Sequence, residues 1–381
     1  MPLGSLHGWG VCGKNLTLEM SQLKGIRFIT EGLESEAKNG SSHYNKLREL
    51  YVPLENLDVS LNPVGIYSFG QPVLQAIEGF NLRPWFIEAH SPKIIGYTFF
   101  EKRKLKNEDV SAARDYFDWI VAGSSWCEKI LRDHNISNCS TIIQGIDTDL
   151  FHPGCMQKEK YKDQFVIFSG GKLEFRKGQD LVIRAFKILQ DKYDDVLLVN
   201  AWYNLWDESL MTMQISPYIT FDMPEGDYFK AVNHLMVANG IDPSKVVTLP
   251  PKVHAQMPGV YQDTDCGLFP NRCEGGTNLV LMEYMACGKP AIASLTSGHR
   301  DILTEDNCVP VSSMTDFTVQ NTEERIIAQY DEPNLDEIIA KLEWAYHNRD
   351  SLKGIGKTAG EFMRTITWRK ASEQFFELLY N

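Results

Sequence analysis

The chain lacks any apolar run near the ~18 residues that a bilayer-spanning helix needs, and its N-terminus lacks a basic stretch leading into an apolar one. A soluble or peripheral protein is expected. Its eight cysteines (Cys12, Cys127, Cys139, Cys155, Cys266, Cys273, Cys287 and Cys308) form no CxxC pair and no tight Cys/His cluster. That argues against structural zinc and against a disulfide framework, and a reducing cytosol fits best. Positive charge is also short: 38 Lys and Arg against 50 Asp and Glu leave a net charge of −12. Nonspecific attraction to nucleic acid or to an anionic membrane is therefore disfavoured, while anionic small molecules stay open as ligands. No short repeat or low-complexity tract appears. What is present is ordinary for a globular chain, 43% hydrophobic and 23% charged over 381 residues, which at roughly 150 residues per domain gives about two domains.

Short β-rich runs alternate with helical patterns throughout, the mark of parallel α/β units. In the first half strands are expected at 26–30, 64–68, 93–99, 119–123 and 140–144, with helices at 14–23, 44–51, 72–79, 108–116 and 125–134. In the second half strands are expected at 166–169, 196–200, 246–249, 266–269 and 291–294, with helices at 179–193, 228–238 and 278–287. Two doubly wound sheets result. The polar stretch 152–164, with Pro153, Gly154, Lys158, Lys160 and Lys162, is the best linker candidate, and a last helix at 369–379 would cross back to the first sheet.

The most informative stretch is Arg272-Cys-Glu-Gly-Gly-Thr-Asn-Leu-Val-Leu-Met-Glu-Tyr-Met-Ala-Cys-Gly-Lys-Pro290. A Gly-rich turn follows a strand and opens a helix that Gly288 and Pro290 end. That helix is apolar on every face except at Glu283, so it is expected to be buried. Burying an unpartnered carboxylate costs about several kcal/mol, and no cation stands nearby in sequence. A pair of ligand hydroxyls, such as a ribose, would supply the partner. Gly275 and Gly276 would let the backbone approach a ligand, and free N–H groups at the helix start favour a phosphate. The plain alternative is a turn, with Glu283 satisfied by backbone or lysine.

A second signal is Phe168-Ser-Gly-Gly-Lys-Leu-Glu-Phe-Arg-Lys-Gly-Gln179, where a strand gives way to a helix. Such a place lies at the carboxyl edge of a parallel sheet, where open α/β folds bind ligands. Lys172 and Lys177 would converge there on one diphosphate as two point charges, unless the segment is only a solvated basic loop.

Together these segments resemble the retaining glycosyltransferases of family 4, which have the GT-B fold. The resemblance extends to Ile120-Val-Ala-Gly-Ser-Ser-Trp126, to Gln144-Gly-Ile-Asp147 with Phe151 and Pro153, and to Trp368, so it covers most of the chain. It implies an α/β fold of two Rossmann-like doubly wound domains facing each other across a cleft. The acceptor-binding domain would span 1–155, with a C-terminal helix at about 365–381 packed back on it, and the nucleotide-sugar domain would span 162–364. In the family one Glu contacts the donor sugar and a second, after seven residues, the nucleotide ribose. Glu283 matches the second. Glu274 matches the first with eight residues between instead of seven. The family's Arg and Lys on the diphosphate map to Lys172 and Lys177, and a Lys in the Arg place gives up bidentate geometry. The donor site implied is Gly10, Gly171, Lys172, Lys177, Val253, Glu274, Gly275, Gly276, Thr277, Asn278, Leu279 and Glu283.

His7-Gly-Trp-Gly-Val-Cys-Gly-Lys14 resembles the family's glycine-rich loop between a first strand, here very short, and a first helix. The family often carries a His beside the reacting sugar. His90, in Phe86-Ile-Glu-Ala-His-Ser-Pro92, is one candidate for that place and Glu101 is its rival. The catalytic set implied is thus His90 or Glu101 with Lys172, Lys177 and Glu274. The one dense basic run, Glu101-Lys-Arg-Lys-Leu-Lys106, is read as a solvated loop before a helix, although an anionic acceptor or a membrane surface would also suit it.

The resemblance implies a metal-independent, retaining transfer of a hexose-type sugar from a nucleotide diphosphate sugar to an acceptor. That acceptor is a sugar, glycan, lipid or small molecule. No cofactor beyond the donor substrate, no metal and no nucleic acid are expected, and membrane contact is left open without being favoured. The expected place is the cytoplasm, with a peripheral position at the inner face of a membrane as a variant. A nucleotide-sugar epimerase, a phosphorylase of the same fold, or an inactive nucleotide-sugar-binding protein are the alternatives.

Overall fold

The computed structural model describes all residues except 6, 29–32, 34–42, 53–66, 155–157, 205–206 and 321–325. Contacts divide the chain into two units. The first holds Met1–Asp147, Gly275–Thr277 and Ile366–Asn381, and the second holds Thr148–Glu274 and Asn278–Thr365.

In the first unit four parallel strands, β2 (Val73–Ala76), β4 (Ile94–Thr98), β5 (Trp119–Ala122) and β6 (Cys139–Thr141), pair in the order β2-β4-β5-β6. All five residues of β4 are buried, as suits a central strand of a parallel sheet. A separate parallel pair joins β1 (Tyr67–Ser68) to β3 (Ala89–His90). Helix α1 (Gly8–Leu23) begins where the His7 side chain accepts a hydrogen bond from the Gly10 amide. The C-terminal helix Trp368–Tyr380 packs on α1. Its buried positions Trp368, Ala371, Ser372, Phe375 and Leu379 recur at helical spacing, which makes one face apolar enough to dock.

Two sequence expectations are corrected in this unit. Residues 72–79 do not form a helix; Val73–Ala76 is strand β2, paired with β4. A four-residue apolar run carries no period of its own, Pro72 suits a strand start as well as a helix start, and sheet pairing decides. The glycines of 7–14 do not form a loop either, because Gly8, Gly10 and Gly13 lie inside α1. Gly10 and Gly13 are needed for close approach: a Cβ on Gly13 would stand 1.9 Å from the Pro2 carbonyl oxygen, and one on Gly10 would stand 2.6 Å from the Gly4 amide nitrogen. Among the described residues no strand precedes that helix. The strands expected at 26–30 and 64–68 lie partly outside the described residues. Of their described parts, Phe28 bridges Tyr51 and Tyr67–Ser68 is β1.

The second unit is one six-stranded parallel sheet, β7 (Phe165–Gly171), β8 (Val196–Trp202), β9 (Val246–Thr248), β10 (Cys266–Phe269), β11 (Ala291–Ser294) and β12 (Val309–Val311). Its spatial order β12-β11-β10-β7-β8-β9 puts the first strand beside the fourth. That is the doubly wound order, with its switch point between β7 and β10. Helices Gln179–Gln190 and Leu335–His347 cover one face through Leu181, Val182, Ala185, Phe186, Leu189, Ile338 and Leu342. A hairpin absent from the sequence reading, β13 (Met314–Gln320) with β14 (Ile326–Pro333), follows β12. Residues 158–160 are fastened to this unit, since Lys158 bonds Asp265 at 2.5 Å and the amides of Glu159 and Lys160 both donate to Asp263.

Candidate active site

The doubly wound order brings the two informative segments together. Both leave the carboxyl ends of adjacent strands, Lys172–Lys177 after β7 and Asn271–Glu274 after β10. The contact is close because Gly178 adopts φ +74°, and a Cβ there would meet the Pro270 carbonyl oxygen at 2.1 Å. A row of alternating charges results. Lys172 stands 3.8 Å from Glu174, Glu174 ion-pairs with Arg176 at 2.6 Å, Arg176 reaches Glu274 Oε2 at 3.3 Å, and Lys177 Nζ donates to Glu274 Oε1 at 2.5 Å. Lys172 and Lys177 stand in this one row, each beside a different carboxylate. Lys172 is fastened to Glu174 with its side chain 37% exposed, and the cation that shares Glu274 with Lys177 is Arg176. Sequence reasoning passed over Arg176 although it stands beside Lys177. The available signal was two adjacent cations facing a Gly-rich acidic loop.

Glu274 is buried, and its carboxylate also accepts from Asn271 Nδ2, while its amide donates to Ser297 Oγ at 2.6 Å and its carbonyl accepts from the Gly298 amide. Burial opposes ionisation, but Lys177, Arg176 and His299 override it and hold the carboxyl down at about 2. His299 was also missed, and it too follows the carboxyl end of a strand, β11. Burial lowers its imidazole to about 4. Nδ1 lies 3.0 Å from the Ser294 carbonyl and must donate to it, so Nε2 accepts from Asn278 Nδ2 at 3.2 Å.

These shifts fix a pH dependence. His299 falls from an ordinary 6.5 to about 4, so the unfolded chain takes its proton first as the medium is acidified. Its contribution to stability is complete above pH 6.5 and lost as pH falls through 4. Glu274, down from 4.5 to about 2, contributes fully above pH 4.5 and loses that contribution toward pH 2. The second unit is expected to lose about 3 kcal/mol between neutrality and pH 4 through His299. His299→Gln should flatten that slope in urea titrations at a series of pH values, and an unchanged slope would refute the assignment.

Glu283 sits on the short helix Leu279–Ala286, buried on nearly every face as the sequence implied. It was expected to depend on a ligand for its partner; instead His254 Nε2 lies 2.5 Å from its Oε1. His254 belongs to the turn that follows Val253, 29 positions away in sequence, where no periodicity links the two. Asn278 precedes the helix in the left-handed region at φ 64°, an unusual conformation for a residue with a side chain. Leu279 is buried, and Gly171, at φ +118°, lies near the Lys177 stem.

Gly275, Gly276 and Thr277 group with the first unit. There the Ser124 hydroxyl donates to the Gly275 carbonyl at 2.7 Å, and a Cβ on Gly275 would stand 2.5 Å from the Phe100 carbonyl oxygen. The missing side chain thus serves backbone packing. Also in the first unit, Gly10 is in the first turn of α1, His90 is exposed at the end of β3, and Glu101 is half-buried after Phe100. Residues 101–106 carry no regular structure and lead into helix Asn107–Tyr116, with Lys102 Nζ 3.7 Å above the Phe80 ring.

No described helix is long and apolar enough to cross a membrane. No curated protein matches the chain. Solved structures do. Sucrose-phosphate synthase from Thermosynechococcus elongatus is 13% identical with a TM-score of 0.63, over 98% of this chain and 92% of that one. A glycosyltransferase from Rickettsia africae ESF-5 is 13% identical with a TM-score of 0.62, over 100% and 96%. Anabaena Alr3699/HepE, solved in complex with UDP and glucose, is 15% identical with a TM-score of 0.56, over 75% and 71%. At such identities the likeness is one of fold, and the fold is GT-B, built from two Rossmann-like α/β units. The sequence model described as "Glycosyl transferases group 1" matches residues 156–361, more than half of the chain and the whole switch-point region. The chain belongs to the group 1 glycosyl transferases.

Proposed function

We propose that this glycosyltransferase moves a hexose-type sugar from a nucleotide diphosphate sugar to an acceptor hydroxyl, with retention at the anomeric carbon and without a metal, as in family 4. The observation that carries the reading is the charge row at the switch point, where Lys177 and Arg176 meet on a buried, ionised Glu274. Lys177 has three N–H donors and gives one to Glu274, so two remain for a diphosphate. Charge that builds on the departing diphosphate is stabilised by cations already fixed in place. Glu274 is held by three side-chain donors, which suits an acceptor of sugar hydroxyls more than a nucleophile or a base. The leaving phosphate itself then takes the acceptor proton. The solved complexes of HepE with UDP-glucose and of a trehalose-6-phosphate protein from E. coli with UDP-2-fluoro glucose support a nucleotide-sugar donor.

The donor is assigned to the second unit and the acceptor to the first, near His90 or Glu101. The adjacent carboxylates Asp194 and Asp195 lie in the turn before β8, away from the charge row. Asp195 accepts from Tyr346 at 2.5 Å and from Arg349 at 3.1 Å, which commits it to a structural role. The seven described cysteines are buried free thiols, which suits a cytoplasmic enzyme.

The test is the stereochemistry of the product. Proton NMR of the first-formed product from an α-linked donor should show an α-linkage, with the rate unchanged in excess chelator. A β-linkage would remove the retaining reading, and activity lost in chelator and restored by Mg²⁺ would remove metal independence. Glu283→Gln keeps the side-chain volume and the fold while weakening nucleoside diphosphate binding about tenfold, measured by thermal shift over a panel of nucleotides.

A further inference from the structure

Glu283 offers a ligand only one of its two oxygens. The residue is 5% exposed, Oε1 takes the His254 Nε2–H at 2.5 Å, and among the described residues Oε2 has no hydrogen-bond partner. The imidazole is itself held: it is 9% exposed, and the Phe151 ring packs against it with centroids 5.0 Å apart. His254 opens the turn His254–Gln256, between β9 and the helix Met257–Gln262. One hydrogen bond therefore ties the loop after β9 to the helix after β10.

We propose that His254 is a positioning residue for the nucleoside, fixing the rotation of the Glu283 carboxylate so that Oε2 faces the ribose hydroxyls. The inference rests on the donor-site reading above and adds a residue to it. A carboxylate turns freely about its last bond, and a ligand that relies on one oxygen must stop that rotation when it binds. The bond from His254 stops it beforehand, so the ribose meets an oriented acceptor. A charge-assisted bond from buried imidazole to carboxylate is strong enough to hold that orientation. Nδ1 is not needed for this role.

The expected signature is discrimination between ribose and deoxyribose. Titration calorimetry of the full chain with UDP, ADP and GDP and with their 2′-deoxy forms should show one ribonucleotide bound about tenfold more tightly than its deoxy form. His254→Ala should bring that ratio close to one while ribonucleotide affinity falls. His254→Gln retains an N–H donor and should restore part of the ratio; its melting temperature separates loss of positioning from loss of fold. Glu283→Gln should also bring the ratio close to one. If Glu283→Gln abolishes discrimination while both His254 variants keep it in full, His254 does not position the carboxylate and the donor site stands. If the unmodified chain binds no nucleotide, or binds both forms equally, the ribose reading of Glu283 is overturned and this inference falls with it.

Discussion

Replacing Arg272 with leucine is expected to destabilise the second unit by about 3–5 kcal/mol, more than any other single change considered. The guanidinium is fully buried and forks onto Asp180 with two bonds of 2.8 Å. It also holds both Glu332 oxygens and donates to the Phe175 carbonyl at 2.6 Å, while its Cζ lies 3.7 Å from the Phe175 ring centroid. Burial favours the neutral form, yet the flanking carboxylates keep the group charged well above the usual arginine range. Leucine would fill part of the volume and leave two buried carboxylates without a cation. Adding Asp180→Asn and Glu332→Gln should recover much of the loss, because the penalty lies in the stranded charges. Urea denaturation of the three variants measures this. A loss under about 1 kcal/mol for the single change would mean that water replaces the cation freely. The triad also anchors the loop that carries Glu274, since Arg272 is two residues before Glu274 and the Arg272 backbone carbonyl accepts from the Asp331 amide of the hairpin.

Lys177→Ala is expected to lower kcat by about 10²–10³ while nucleotide affinity falls by a smaller factor. Charge grows on the diphosphate as the glycosidic bond stretches, so a fixed cation is worth more there than in the bound ground state. The fold should survive, because Arg176 and Asn271 still hold Glu274 after the lysine is gone. Lys172→Ala should cost less, since that side chain is 37% exposed and stands 3.8 Å from Glu174, not on Glu274. Nucleoside diphosphate release gives kcat and calorimetry gives affinity. Lowered affinity with kcat unchanged would mean that Lys177 serves ground-state binding alone.

Several elements were legible in the sequence because local chemistry marks their ends. The helix Tyr228–Ala238 starts at Asp227, whose carboxylate accepts from the amides of Phe229 and Lys230 at 3.0 Å, and Gly240 follows its end. The strands Cys266–Phe269 and Ala291–Ser294 are fully buried apolar runs beside Pro, Asn and Gly. Where such marks were absent or double-valued the reading failed. Val73–Ala76 follows Pro72, which both a helix start and a strand start accept, and the glycines of 7–14 looked like a loop when Gly10 and Gly13 were relieving contacts with residues 2–4. The hairpin Met314–Gln320 with Ile326–Pro333 was not read, since its alternation is broken by exposed Ile326 and Ile327.

By itself the sequence determined the alternating α/β rhythm, the burial of the helix Leu279–Ala286 and the placing of Lys177, Glu274 and Glu283 beside strand ends. Periodicity and turn chemistry suffice for that, because they act within a few residues. Only the tertiary structure decided which groups satisfy one another: Arg176 with Glu274, His254 with Glu283, and Arg272 with Asp180 and Glu332, pairs separated by 29 to 98 positions. A buried charge must find a partner, but its sequence neighbours do not name it. The order of strands in the sheet sets which loops meet at the switch point, and so it selects the pairs.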